Sequence, residues 1–301
     1  MSDPPRGTPF DAAALLGKSM SMRAVQQALP CVARADLSLV LCGEVGTGKR
    51  QWAQALHEHS ARQGRPFVAV RIAGNDENTL DAKLFGAGGR DGVFCRALRG
   101  TVYLDGIDAL SPRLQHRLNQ LLEGNPVDVR VISGTASTLP ENVRFGRFSR
   151  ALYGRLAVVQ LTIAPLRERP EDIPVVVEHC LWHGSPSRPS SVVRDDALVE
   201  LCRYGWPENT RELVQVLEAT CALAKDRPIS GELIRTVLGQ RPRRNAAVGI
   251  VPLDQLEVEY ILTALARCDG NQSMAARRLG IGRSTLIRKL RASGNGTVEA
   301  A

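Results

Sequence analysis

DLSLVLCGEVGTGKR, residues Asp36–Arg50, decides how the rest of this 301-residue chain is read. Its first part is an apolar run of the kind that forms a buried strand, and a helix-compatible stretch follows from Arg50 to about Ser60. Between them Gly43, Glu44, Val45, Gly46, Thr47, Gly48 and Lys49 satisfy the pattern GxxxxGK. In such a loop the glycines let backbone N–H groups converge on phosphate oxygens. The helix N-terminus adds favourable potential, and the lysine neutralises the β- and γ-phosphates. Arg50 departs from the general pattern, which has a Ser or Thr hydroxyl there to ligate Mg²⁺. A chance lysine in a glycine-rich turn would not require a strand before it and a helix after it, so nucleotide binding (ATP or ADP, with Mg²⁺) is the stronger reading.

Outward from the loop, further short apolar runs occur at Phe67–Ile72, Thr101–Leu104, Val127–Ile132 and Val158–Ile163, separated by helix-compatible segments such as Ser111–Leu122. Strands alternating with helices predict an α/β domain with a largely parallel sheet. The run Thr101-Val102-Tyr103-Leu104 ends in Asp105, a carboxylate placed to hold Mg²⁺ through water beside the phosphate loop. The next residue, glutamate in hydrolytic versions, is Gly106, and Asp108 is expected to point elsewhere. After Leu166 the texture becomes helical, over Glu171–His183, Asp195–Tyr204, Thr210–Lys225 and Ser230–Leu238.

The expected division is a flexible N-terminus over 1–12, an α/β nucleotide-binding part over 13–168 and a helical lid over 169–239. A linker over 240–252, a helix-turn-helix over 253–294 and a tail over 295–301 complete it.

Composition is that of an ordinary globular chain, and no apolar stretch approaches the roughly 18 residues that a membrane span needs. The start, MSDPPRGTPF, lacks a secretory pattern, so the expected location is the cytoplasm, at the nucleoid, with no membrane partner. The cysteines are scattered singly, which argues against disulfides or a zinc site.

The formal charge is +8, and from Arg241 onward there are ten Lys/Arg against five Asp/Glu, a net of +5. That segment has apolar periodicity, unlike a merely solvated basic tail. Leu256, Tyr260, Ile261 and Leu265 share a face of a helix over about Leu253–Cys268, and Asp269-Gly270-Asn271 breaks it. Ser273–Leu279 reads as a second helix, Gly280-Ile281-Gly282 as a turn, and a third helix starts near Arg283 with Leu286 and Leu290 inward. This is the layout of a helix-turn-helix for double-stranded DNA. Arg283, Ser284 and Thr285 are nearest the bases or phosphates, while Arg288, Lys289 and Arg291 hold the backbone. A basic three-helix bundle that binds protein is the weaker alternative.

Together these residues resemble the sigma-54-dependent transcriptional activators. The matching phrases are GEVGTGKR, NDENTLDAKLFG, GTVYLDGIDALSPRLQHRLNQLLEG, VDVRVI, LYGRL, PLRERPEDIP and WPENTREL, beginning at about Leu16 with LLGKSMSMRAV. The resemblance implies an AAA+ fold, assembly as dimers or hexameric rings with nucleotide sites between subunits, and a Fis-type helix-turn-helix. RNA polymerase holoenzyme and a related AAA+ activator are the further partners it implies.

It also implies roles and losses. Arg155 in LYGRL matches a trans arginine finger, the second finger falls on Ser149 beside Arg150, and Arg211 in WPENTREL matches the sensor arginine of the lid. The glutamate after Asp105 is Gly106, the asparagine that positions it corresponds to Arg71, and the sensor asparagine aligns with Ala136. The loop that carries GAFTGA in the family is shortened and lacks that sequence, and a second loop is reduced to Asn125-Pro126. The expected protein is therefore a DNA-binding regulator that binds nucleotide with weak or absent hydrolysis and no direct remodelling of sigma-54. It would act as a repressor, a sigma-54-independent regulator or a subordinate ring subunit. The alternative is a working activator whose ATPase drives open-complex formation.

Overall fold

Strand β1 (Leu39–Cys42) lies next to the outer strand β5 (Val159–Thr162) and leads into the phosphate loop. Strands β2 (Phe67–Arg71), β3 (Thr101–Asp105) and β4 (Arg130–Thr135) complete a five-stranded sheet of order β2-β3-β4-β1-β5, every pair parallel. This computed structural model describes residues 15, 17–87, 91–124, 128–136, 138–183, 193–225, 227–239, 261 and 271–292.

Alternation along the strands sorts side chains to two covered faces. Val40, Val102, Leu104 and Val131 pack with Leu80 and Leu84 of helix α3 (Glu77–Phe85) and with Leu114 and Leu118 of helix α5 (Pro112–Gly124). Helix α4 (Val93–Arg96), helix α6 (Leu139–Arg144) and helix α7 (Arg150–Leu156) join this layer through Phe94, Leu139 and Leu152. Leu39, Leu41, Tyr103 and Ile132 face the other way. They meet Met22 of helix α1 (Met20–Arg34) and Trp52 and Leu56 of helix α2 (Lys49–Glu58). Burial on both faces explains why the strands read as unbroken apolar runs.

Helix α1 was not legible from periodicity, because Pro30 inside it reads as a stop. Tertiary contacts hold it. Ser19 caps its start by accepting from Met22 N, and the buried Arg130 donates to Val32 O at 2.7 Å and Ala33 O at 3.0 Å in its last turn. A cation at the C-terminus of a helix also meets the negative end of its dipole.

Helices α8 (Ile173–His183), α9 (Asp195–Arg203), α10 (Asn209–Ala224) and α11 (Gly231–Gly239) share a separate core around Trp206, Leu213, Val216 and Ile234. Asp172, fully buried, accepts from Ser19 N and Ser19 Oγ at 2.7 Å each, which ties the chain just before α1 to the base of this helical part.

The chain divides into two compact units, Met1–Arg244 and Asn245–Ala301. In the second unit, helices Gln272–Arg278 and Arg283–Ala292 pack on a core of Ile261, Ala276 and Leu286. The expected linker lies outside the described residues, and so does the expected helix over 253–268 apart from Ile261. Among the described residues no helix is long and apolar enough to cross a membrane.

Candidate functional site

The parallel register brings Asp105 opposite Arg71 on one side and Gly134 on the other, at the strand ends where the loop after β1 also emerges. Gly43 N donates to Thr135 O at 3.1 Å, anchoring the start of that loop to β4. Inside the loop Thr47 Oγ1 donates to Glu44 O at 2.8 Å, and Lys49 Nζ donates to Gly43 O at 2.7 Å and Glu44 O at 2.9 Å. Burial pushes the Lys49 ammonium below its ordinary pKa, opposed by the charges of Asp105 and Asp108. The Gly48 that precedes α2 has φ 92° and offers no side-chain cap, so the first N–H groups of that helix are open to an anion.

A cleft of about 500 Å³ lies over the loop; Gly46, Lys49, Arg50, Arg71, Asp105 and Arg211 line it among others. The expected residues Lys49, Arg50, Asp105 and Arg211 are thus brought together, and Arg71 joins them. Asp105 is half-buried, and one of its oxygens accepts from the Tyr103 hydroxyl at 3.1 Å. Burial and that carboxylate hold the Tyr103 pKa far above the ordinary phenol value. Asp108, expected to point elsewhere, accepts from Thr135 Oγ1 at 2.8 Å, and its charge reaches Lys49. Gly106 has φ 78°, a left-handed conformation that disfavours any residue with a side chain.

The helical part is latched onto the loop by Arg167 and Asn209, which the sequence did not single out, and by the backbone of Arg211. Arg167 makes a two-pronged pair with Glu44, 2.6 Å on each arm, and this holds the Glu44 carboxyl below its usual range. Asn209 is fully buried at φ 55°, accepts from Leu166 N at 2.7 Å and donates to Val45 O at 2.9 Å. Arg211 N donates to Gly46 O at 3.3 Å. Only the tolerance of asparagine for left-handed backbone hinted at this role, and that hint is too common in loops to single out Asn209.

Arg155 lies on α7 and does not line the cleft. Its guanidinium donates to Asn119 Oδ1 at 3.1 Å and pairs with Glu123 at 2.8 Å. Ser149 caps the same helix. In the second unit Asn271 Oδ1 accepts from Met274 N at 3.0 Å, and Gly280, at φ 68°, closes the turn between the two helices. Arg283 and Ser284 are exposed, Thr285 and Lys289 are half-buried, and the side chains of Arg288, Leu290 and Arg291 lie outside the described residues.

A parallel sheet with GxxxxGK between β1 and α2, a carboxylate ending β3 and a helical lid against the loop define a P-loop NTPase of the AAA+ class. The Sigma-54 interaction domain family matches residues 15–162, the AAA+ ATPase lid domain residues 167–248, and the family of Fis-type bacterial regulatory proteins residues 252–292. The transcriptional regulatory protein ZraR of Klebsiella oxytoca is 37% identical over 308 residues, covering 94% of this chain and 70% of that protein. The crystal structure of NtrX from Brucella abortus in complex with ADP matches at a TM-score of 0.68 and 29% identity, covering 93% of this chain and 68% of NtrX. Its complex with ATP gives the same TM-score and identity, covering 69% of NtrX. The chain belongs to the sigma-54-dependent transcriptional activator family.

Proposed function

We propose that this protein is a DNA-binding transcription regulator that holds ATP or ADP in the cleft, hydrolyses it slowly or not at all, and does not itself remodel sigma-54. Nucleotide binding is supported by the open N-terminus of α2, by Lys49 at the loop, and by the ADP and ATP complexes of NtrX. DNA binding is supported by the Fis-type match and by Arg283 and Ser284 exposed at the start of the last helix. The family relationship supports assembly into rings, with Arg155 as a finger offered in trans to a neighbouring subunit, and the domain division expected from the sequence fits the same reading.

Gly106 carries the proposal on hydrolysis. The position that would activate the attacking water has no side chain, and its left-handed backbone disfavours one. Arg71 and Ala136, where the resemblance places asparagines, support the same conclusion, and the lack of GAFTGA supports the absence of sigma-54 remodelling. Loss of the water-activating group removes a large rate factor while binding survives, because positioning and charge stabilisation are separate contributions. Of the residues present, the half-buried Asp105 is the one through which a hydrated Mg²⁺ would be held.

Steady-state phosphate release by the purified chain tests this reading. Turnover more than about 100-fold below that of an active relative is expected, and turnover matching it would overturn the proposal. One observation favours the second reading, a working ATPase: the Asp108 carboxylate, fixed by Thr135, sits within electrostatic reach of Lys49. If Asp108 substitutes for the absent glutamate, Asp108→Asn abolishes measurable turnover; if turnover is already at background, the substitution changes nothing.

A further inference from the structure

The cleft is over-supplied with positive charge. Lys49, Arg50, Arg71 and Arg211 all line it, against Asp105 as the single carboxylate lining it. Among the described residues, none of Arg50, Arg71 and Arg211 has an ion pair or a side-chain hydrogen bond. Near the same loop, by contrast, Arg167 is paired with Glu44. Three uncompensated guanidinium groups therefore line one cleft, where the loop N–H groups and the N-terminus of α2 already favour an anion.

The oxygen donors that a divalent cation needs are scarce in the same place. One oxygen of Asp105 is taken by the Tyr103 hydroxyl, and Thr47 Oγ1 donates inward to Glu44 O. The position after Lys49 is a guanidinium rather than a hydroxyl. No group of three or more His, Cys, Asp or Glu among the described residues could hold a metal ion. A divalent cation at a nucleotide neutralises phosphate charge and bridges phosphate oxygens to the protein. Guanidinium groups supply neutralisation and directed N–H donors together, and they stay charged at any working pH.

We propose that the cleft binds nucleoside di- and triphosphates without a divalent cation, Arg50 and Arg71 supplying the charge compensation that Mg²⁺ supplies elsewhere. This rests on the reading of the cleft as a nucleotide site. Asp105 remains the attachment point for a hydrated ion, but affinity does not depend on it.

The full-length chain is titrated with a fluorescent ADP analogue in excess EDTA and in excess Mg²⁺, as wild type, as Lys49→Ala and as the double variant Arg50→Glu/Arg71→Asn. Both arginines of the double variant are exposed, and a melting curve for each protein confirms that it is folded. For wild type the two Kd values are expected to agree within about threefold, whereas the double variant loses at least about tenfold in EDTA and regains most of it with Mg²⁺. Binding by wild type that vanishes in EDTA overturns the proposal. A double variant as indifferent to EDTA as wild type overturns the assignment to Arg50 and Arg71. Absence of binding in both conditions, or binding that Lys49→Ala leaves untouched, sinks the nucleotide reading itself, a failure distinguishable from the other two.

Discussion

Gly46 shows how a single missing side chain joins the loop to the lid. Its φ is 81°, and a Cβ built there would lie 1.8 Å from Glu208 O, a backbone atom that cannot swing aside. Gly46→Ala is therefore expected to lift the lid from the loop and to cost at least about 2 kcal/mol in urea denaturation, since left-handed backbone alone accounts for 1–2 kcal/mol. An unchanged midpoint would show that the contact between Gly46 and Glu208 is not needed for the fold. Glu44, one residue into the same loop, adds a pH dependence. Its carboxyl is held below the ordinary value of 4.5 chiefly by the hydrogen bonds from Arg167. A depressed folded-state pKa stabilises the protein above the unfolded value, and the contribution disappears as pH falls below 4.5 through the folded value. The difference in melting temperature between wild type and Glu44→Gln should be largest near neutrality and close to zero in acid; a difference independent of pH would remove Glu44 from the account. Sequence alone brought Gly46 and Glu44 to notice as loop residues. Their lid partners Glu208 and Arg167 lie more than a hundred residues away, and no local pattern encodes such a pairing.

At the scale of elements, the strands were legible because both faces of the sheet are covered, so each central strand is a short apolar block bounded by polar turns. The helices over β3's neighbours and in the lid were legible where apolar residues recur at helical spacing, as in α5 and α10. Helix α1 was hidden by Pro30, and its stability comes from Arg130, Ser19 and Asp172, which are distant in sequence or outside the helix. The junction of β1, the loop and α10 rests on Asn209. Its side chain satisfies Leu166 N and Val45 O in a fully buried position. Asn209→Ala strands these groups and puts alanine, which tolerates left-handed backbone less well than asparagine, at φ 55°, so a loss of about 3 kcal/mol is expected from the unmade hydrogen bonds and the backbone together. Asn209→Gly removes the same hydrogen bonds without the backbone penalty, and about 1 kcal/mol should return. Equal midpoints for the two variants would locate the whole effect in the side chain; a wild-type midpoint for both would show that the latch contributes nothing to stability.

For the whole molecule, positive charge is concentrated in two places: the arginine-lined cleft in the first unit, and the second unit, Asn245–Ala301, which holds seven Lys/Arg against five Asp/Glu, six of the seven between Arg277 and Arg291. Salt discriminates among the contacts that the second unit makes. Each phosphate neutralised by a lysine or arginine steepens the fall of log K with log salt by about 0.9, whereas a contact to a base edge adds specificity without adding a released counterion in proportion. Arg283 and Ser284 stand exposed at the start of the last helix, the end that enters the major groove in helix-turn-helix proteins, while Lys289 lies later on the same helix. Arg283→Ala is expected to weaken binding to a selected site by about 1–3 kcal/mol while leaving random DNA nearly unaffected, so that the ratio between the two collapses. Lys289→Ala should weaken both alike and lower the salt slope by about 1. Gel-shift titrations of the full chain at several salt concentrations, on DNA recovered from its own bound fragments and on a scrambled control, separate the two outcomes. Equal losses on both DNAs for Arg283→Ala would place that side chain on the phosphate backbone and move the reading of sequence to Ser284 and Thr285, the two neighbours nearest the same end of the helix.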